Sequence, residues 1–192
     1  MIDSILASED IADFDRPGGT DKQSIHSYGP VYEDLLARFQ GKSVNLLEVG
    51  VQYGGSLLLW HQLLPKAYIV GVDVQNAVHP SIFERMDNAR YSFIVDDAYS
   101  DATAVKIKTI MPTGIDIAID DGPHTLASQV AFIKLYAPQL SENGIAIIED
   151  VQDVGWLNSL REAVPEGMAG YSVDRRHVKG RYDDLMFVIT RN

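Results

Sequence analysis

Five short runs of aliphatic and β-branched residues recur along the chain: VNLLEVG (44–50), AYIVGVD (67–73), YSFIVDD (91–97), IDIAIDD (115–121) and GIAIIED (144–150). Each is nearly continuous rather than alternating, the pattern of strands buried on both faces of a parallel sheet. Stretches of helical periodicity lie between several of them, at Gly55 to Leu64, Ala102 to Ile110 and TLASQVAFIKLYAPQL (125–140). In the last, Leu126, Val130, Ile133 and Ala137 share one helical face, and Asn143 with Gly144 suits the exit. Strand alternating with helix predicts a doubly wound α/β fold. Two final runs, GYSVDRR and DDLMFVIT, follow a helix expected near 155–164 and predict a terminal antiparallel hairpin on a mostly parallel, seven-stranded sheet.

All five runs end in or beside an acid: Glu48, Asp73, Asp96 with Asp97, Asp120 with Asp121, and Glu149 with Asp150. In an open α/β sheet, ligands bind beyond the carboxyl ends of the strands. The acids are therefore expected on one rim. If strands four and five are neighbours, the carboxylates ending them can share one cation. An all-oxygen set suits Mg²⁺, Mn²⁺ or Ca²⁺ rather than zinc. Successive strand residues face opposite sides, so only one of Asp120 and Asp121 need point into such a site.

Two further features belong to that rim. Glycines at Gly50, Gly54 and Gly55 in LEVGVQYGGSL (47–57) allow a tight turn and close backbone approach to a ligand ahead of a helix N-terminus. Gln52 stands where a dinucleotide fingerprint needs its second glycine, and no Lys follows for a phosphate loop, so a nicotinamide reductase and a phosphate-loop enzyme are both disfavoured. Asp73, about twenty residues past the glycines, is placed for a ribose diol, and Asp97 for the adenine end. His124 follows the Gly122-Pro123 turn and precedes Thr125, a candidate helix cap; its ordinary pKa of ~6.5 suits a general base near neutrality.

At 192 residues and 46% hydrophobic, the chain is long enough for one sizeable core. Its 27 acidic against 16 basic residues leave a formal charge of −11, which disfavours nucleic acid and anionic membrane as partners, although RRHVKGR (175–181) is locally basic. There is no cysteine, hence no thiolate ligand or disulfide. The acidic start, MIDSILASEDIADFDR, is unlike a signal peptide, and no run approaches ~20 apolar residues. A cytoplasmic protein is the expectation.

Taken together, LLEVGVQYGGSL, VGVD, IDDGPHT and GIAIIEDVQ resemble the class I S-adenosylmethionine-dependent methyltransferases, and more narrowly the metal-dependent sugar O-methyltransferases of the macrocin and mycinamicin type. GTDKQSIHSYGPVYEDLL (19–36) resembles that group's entry segment and RYDDLMFVIT its last strand, so the expected division is a variable segment 1–17 and a single methyltransferase domain 18–192. The resemblance implies that Glu48 and Gly50 frame the methionine moiety of S-adenosylmethionine, that Asp73 binds its ribose and that Asp97 lies by the adenine. Tyr28, Gln52, Ser56 and Asp120 complete the implied cofactor contacts, with Tyr28, Tyr32 and the GTDK stretch closing over them. It further implies Asp121, Glu149 and Asp150 as ligands of Mg²⁺ or Mn²⁺, and His124 as the base. The implied acceptor is a small-molecule hydroxyl, best a diol or catechol, and a homo-oligomer is expected. Pro123 departs from the serine frequent at that position. The rival readings are a metal-independent methyltransferase, a non-catalytic nucleotide-binding domain and an NAD(P)-dependent reductase.

Overall fold

A computed structural model of the chain describes residues 1–16 and 18–191. The strands are β1 (Asn45–Val49), β2 (Tyr68–Asp73), β3 (Tyr91–Val95), β4 (Ile115–Asp120), β5 (Leu140–Ile148), β6 (Met168–Asp174) and β7 (Leu185–Arg191). They form one seven-stranded sheet in the order β3-β2-β1-β4-β5-β7-β6. The first five are parallel; β7 runs antiparallel to both β5 and β6. The α/β architecture, the neighbouring of β4 with β5 and the terminal hairpin all agree with the hydrophobic pattern. Continuous apolar runs produced this because a central strand must bury both faces, and β1, β2 and β4 are buried along nearly their whole length.

Helices cover both faces. On one side, α1 (Ile2–Ser8), α2 (Gly29–Leu36), α3 (Gly55–Leu63) and α4 (Pro80–Glu84) share a core that includes Leu6, Tyr32, Leu58, Trp60 and Ile82. On the other, α5 (Asp101–Ile110), α6 (Leu126–Tyr136) and α7 (Trp156–Ala163) pack through Ile107, Phe132, Ile133 and Leu160. A short α8 (Arg176–Lys179) joins β6 to β7. Residues 1–16 belong to the first core: Ile2, Leu6 and Ile11 are buried, and α1 lies against α3.

The helix expected over 125–140 is shorter than its periodicity suggests. It ends at Tyr136, passes through a 3-10 turn at Ala137–Gln139, and β5 starts at Leu140, so that Asn143 and Gly144 lie in the strand rather than at a helix exit. Pro138 cannot donate a helical hydrogen bond, and Leu140 instead pairs with Ile115 across a register shift in the β4–β5 ladder. The buried stripe is accordingly Ser128, Gln129, Phe132, Ile133 and Tyr136, with Leu126 and Val130 only half-buried.

The basic stretch 175–181 is engaged within the fold. Lys179 donates to the carbonyls of Ser24 and His26 at 3.1 and 2.8 Å, Arg176 pairs with Asp174 at 2.6 Å and Arg181 with Asp183 at 2.7 Å. Among the described residues, no helix is long and apolar enough to cross a membrane.

Candidate functional site

The strand order reverses between β1 and β4, and there a cavity of about 550 Å³ opens at the carboxyl ends of the strands. Its lining runs from Gly50 to Tyr53 after β1, through Asp73 and Val74 after β2 and Asp96 to Tyr99 after β3, to Asp121 to His124 after β4. Phe14 and Gly19 to Asp21 close it from the amino-terminal side.

The glycine loop is shaped by left-handed backbone. Gly50 has φ +80°, and a Cβ there would stand 2.0 Å from the Asp121 carbonyl oxygen, so the loops after β1 and β4 touch backbone to backbone. Gln52 has φ 46°, the conformation a glycine would adopt more readily, which is why the missing fingerprint glycine leaves the turn intact. The loop is held by Asp73, whose Oδ2 accepts from the amides of Val51 and Gln52 at 3.0 and 2.9 Å while Oδ1 accepts from Gln75 at 3.1 Å. Asp97 lies at the cavity with its Oδ1 accepting from the Tyr99 amide at 2.9 Å. Ser56, on the first turn of α3, also lines the cavity and donates to Glu48 Oε2 at 2.9 Å beneath it.

After β4, strand alternation separates the two aspartates. Asp120 turns under the rim, where Oδ1 accepts from Tyr99 at 2.5 Å and Oδ2 has no partner, whereas Asp121 faces the cavity. Thr125 caps α6 through a reciprocal bond with Ser128, accepting from its amide at 3.1 Å. His124, immediately before this cap, has φ 52°, and Asp150 after β5 has the same value. Left-handed non-glycine residues at two facing positions indicate backbone held by its surroundings, as happens at functional sites.

These two residues meet. His124 Nε2 stands 3.8 Å from Asp121 Oδ1 and 3.7 Å from Asp150 Oδ2, too far for hydrogen bonds. One ligand atom from each of the three lies within 4.8 Å of the others, around a gap rather than a bond. The two carboxylates of that set, Asp121 and Asp150, are donors of the kind that suits Mg²⁺ or Mn²⁺, with the His124 imidazole beside them. Glu149 lies deeper. Its side chain accepts from Tyr32 and, at 2.7 Å, from Lys22 Nζ, and its backbone carbonyl accepts from Gln129 at 3.0 Å.

Lys22 was visible in the sequence only as part of the GTDK stretch. It is 1% exposed, donates to Asp121 Oδ2 at 2.7 Å as well as to Glu149, lies 3.6 Å from Glu48 Oε1, and sits 5.9 Å over the Trp60 ring. Burial alone would discharge it, but attraction to Asp121, Glu149 and Glu48 outweighs burial and holds it charged. Tyr28 is also deeper than a cofactor contact: its hydroxyl donates to Asp150 Oδ1 at 2.5 Å, and His26, stacked on its ring, lies 2.7 Å from Asp184. The bonds from Lys22 to Glu149, from Tyr28 to Asp150 and from His26 to Asp184 each span more than a hundred residues of sequence, so no local spacing reveals them.

Burial dominates the titration of the cluster. It raises Glu48 to about 7, against the pull of Lys22, and Asp120 to about 7. Asp150 is raised to about 8 by burial and by the charge of Asp121, and Asp121 and Glu149 are raised as well. Burial lowers His124, with Asp121 opposing, so the imidazole is neutral near pH 7.

The sequence profile of the Methyltransferase domain matches residues 47–151, the span from β1 through the acids after β5. The chain belongs to the methyltransferase-domain family. The 8-demethyl-8-alpha-L-rhamnosyl tetracenomycin-C 2'-O-methyltransferase of Streptomyces olivaceus is 31% identical over 145 residues, which cover 72% of this chain and 36% of that protein. The mycinamicin VI 2''-O-methyltransferase of Micromonospora griseorubida is 28% identical over 157 residues, covering 78% and 37%. This methyltransferase-domain chain thus spans little more than a third of the length of those relatives. Its fold is similar to that of the MycE methyltransferase of the mycinamycin pathway, solved with Mg and SAH, with a TM-score of 0.72 at 20% identity over 100% of this chain and 54% of that one. A Bacillus cereus O-methyltransferase solved with SAH covers 100% of both chains with a TM-score of 0.67 at 16% identity.

Proposed function

We propose that the chain is an S-adenosylmethionine-dependent O-methyltransferase that methylates a hydroxyl of a sugar or other small natural product with the help of a divalent cation. The observation that carries this reading is the adjoining of two features on one rim. A cavity framed by the Gly50 loop, Asp73 and Asp97 meets a cluster in which Asp121, His124 and Asp150 converge without bonding one another.

In this reading Asp73 would hold the ribose of the cofactor, Asp97 its adenine end, and Gly50 with Ser56, backed by the buried Glu48, its methionine end. Asp121 and Asp150 would hold the cation, with Glu149 behind them. A bound Mg²⁺ or Mn²⁺ would lower the pKa of the acceptor hydroxyl and fix its orientation, best for a vicinal diol or catechol. His124, neutral near pH 7, takes the hydroxyl proton on Nε2 as the oxygen attacks the sulfonium methyl. S-adenosylmethionine would supply the methyl group to that oxygen and leave as S-adenosylhomocysteine, and Asp121 stabilises the imidazolium formed on His124 beside it. The tetracenomycin and mycinamicin relatives, named for O-methylation of glycosylated natural products, support the acceptor class.

A metal-independent methyltransferase is favoured by one observation, the Lys22 ammonium already lodged between Asp121 and Glu149. Transfer of labelled methyl groups to vicinal-diol glycosides and catechols separates the two. EDTA-stripped protein is expected to be inactive and to recover with Mg²⁺. Full activity without divalent ions would remove the cation from the mechanism.

A further inference from the structure

Lys22 brings an ammonium to the floor of the acid cluster from a segment nearly a hundred residues away in sequence. Its partners are Asp121 Oδ2 and Glu149 Oε1, both at 2.7 Å, with Glu48 Oε1 at 3.6 Å. Glu149 Oε1 also receives the Tyr32 hydroxyl. The gap flanked by cation-binding atoms is framed by Asp121, His124 and Asp150 and does not include Glu149. Three acids, Glu48, Asp121 and Glu149, therefore share one buried fixed cation, and the carboxylate of Glu149 is engaged by it.

We propose that Lys22 is a resident counter-cation that positions Glu149 and Asp121 and sets how strongly the cluster holds a divalent ion. This rests on the cation-assisted reading above. The ammonium neutralises the charge of Glu149, leaving Asp121 and Asp150 to face the ion, so the site binds it weakly enough to exchange. An ammonium this close repels a second cation strongly, because the partly desolvated surroundings screen little. Lys22 is a positioning residue; its role is exerted through the carboxylates.

The test is titration of the full chain with Mn²⁺ at pH 8, followed by electron paramagnetic resonance, with circular dichroism to establish folding. Lys22→Met is expected to tighten Mn²⁺ binding at least tenfold, and Lys22→Arg, which keeps the charge, to stay closer to the wild type than Lys22→Met does. A Lys22→Met protein that folds and binds no more tightly overturns the proposal. Should Lys22→Met fail to fold, the decisive pair is Glu149→Gln against Lys22→Met/Glu149→Gln. The single variant leaves the ammonium without its Glu149 partner, held by Asp121 and Glu48 alone, and is expected to bind at least tenfold more weakly than the double. Equal affinities would mean that Glu149 acts as a plain ligand and Lys22 as packing, and would overturn the proposal. Absence of Mn²⁺ binding in every protein would instead defeat the cation-assisted reading and this inference with it, whereas binding in the wild type without a gain in Lys22→Met defeats this inference alone.

Discussion

Replacing Gly50 by alanine perturbs the contact on which cavity and cluster both depend. An alanine at φ +80° incurs ~1–2 kcal/mol of backbone strain. Its Cβ would lie 2.0 Å from the Asp121 carbonyl oxygen, 2.5 Å from the Asp121 carbonyl carbon and 2.7 Å from the Gly122 Cα. No side-chain rotation relieves a collision with backbone, so the β4 loop must retreat by about 1.4 Å to bring that oxygen to the 3.4 Å of ordinary contact. The retreat strains the bond from the Asp121 amide to the Val49 carbonyl, now 2.8 Å, whose loss from a buried ladder costs ~1–3 kcal/mol. The sum is about 2–5 kcal/mol, or roughly 4–20 °C in melting temperature at ~2–4 °C per kcal/mol for a chain of this size. Differential scanning calorimetry reads the first consequence and calorimetric titration with S-adenosylhomocysteine the second, a loss of affinity of at least ~10-fold. A variant that melts within ~2 °C of the wild type and binds the cofactor product equally well would refute the close approach, and with it the coupling of the two loops.

Other consequences are equally open to measurement. His124→Ala is expected to leave S-adenosylhomocysteine binding intact and to lower turnover by ~10² to 10⁴; unchanged turnover removes it from the mechanism. Thr125→Ala removes the α6 cap at a cost of about 1 kcal/mol, seen in urea denaturation, and lowers turnover further by loosening His124; a stability unchanged within error would contradict the capping bond. Glu48 gives a pH prediction. Its folded pKa, about 7, lies above the ordinary 4.5, so its stabilising contribution is complete below pH 4.5 and is lost as pH rises through 7. Glu48→Gln should therefore gain stability relative to the wild type by up to about 3 kcal/mol between pH 4.5 and 8, and parallel pH profiles would show that Glu48 ionises normally.

The fold was legible because burial on both faces leaves a continuous apolar run in β1, β2 and β4; β3 has the same kind of run but lies at the sheet edge and is only half-buried, and all four strands begin within a residue of their runs. The β4–β5 pairing followed from order alone. The end of α6 was not legible, since its periodicity carries on through Ala137 while Pro138 and the pairing of Leu140 decide the boundary. The division of Asp120 from Asp121 was readable from strand alternation. The depth of Tyr28 and the position of Lys22 were not: both depend on a segment folding across the rim, where the partners are fixed by tertiary packing. The positive φ of His124 and Asp150 was at most weakly signalled, because Asp and His enter left-handed backbone more often than most side chains but far less often than glycine.

Calorimetric titration of the full chain with S-adenosylhomocysteine tests the central claim most directly, with NADPH as the parallel ligand. The account predicts saturable binding of one S-adenosylhomocysteine per chain, weakened at least ~10-fold in Asp73→Ala, and no heat with NADPH. Heat with NADPH and none with S-adenosylhomocysteine would contradict it.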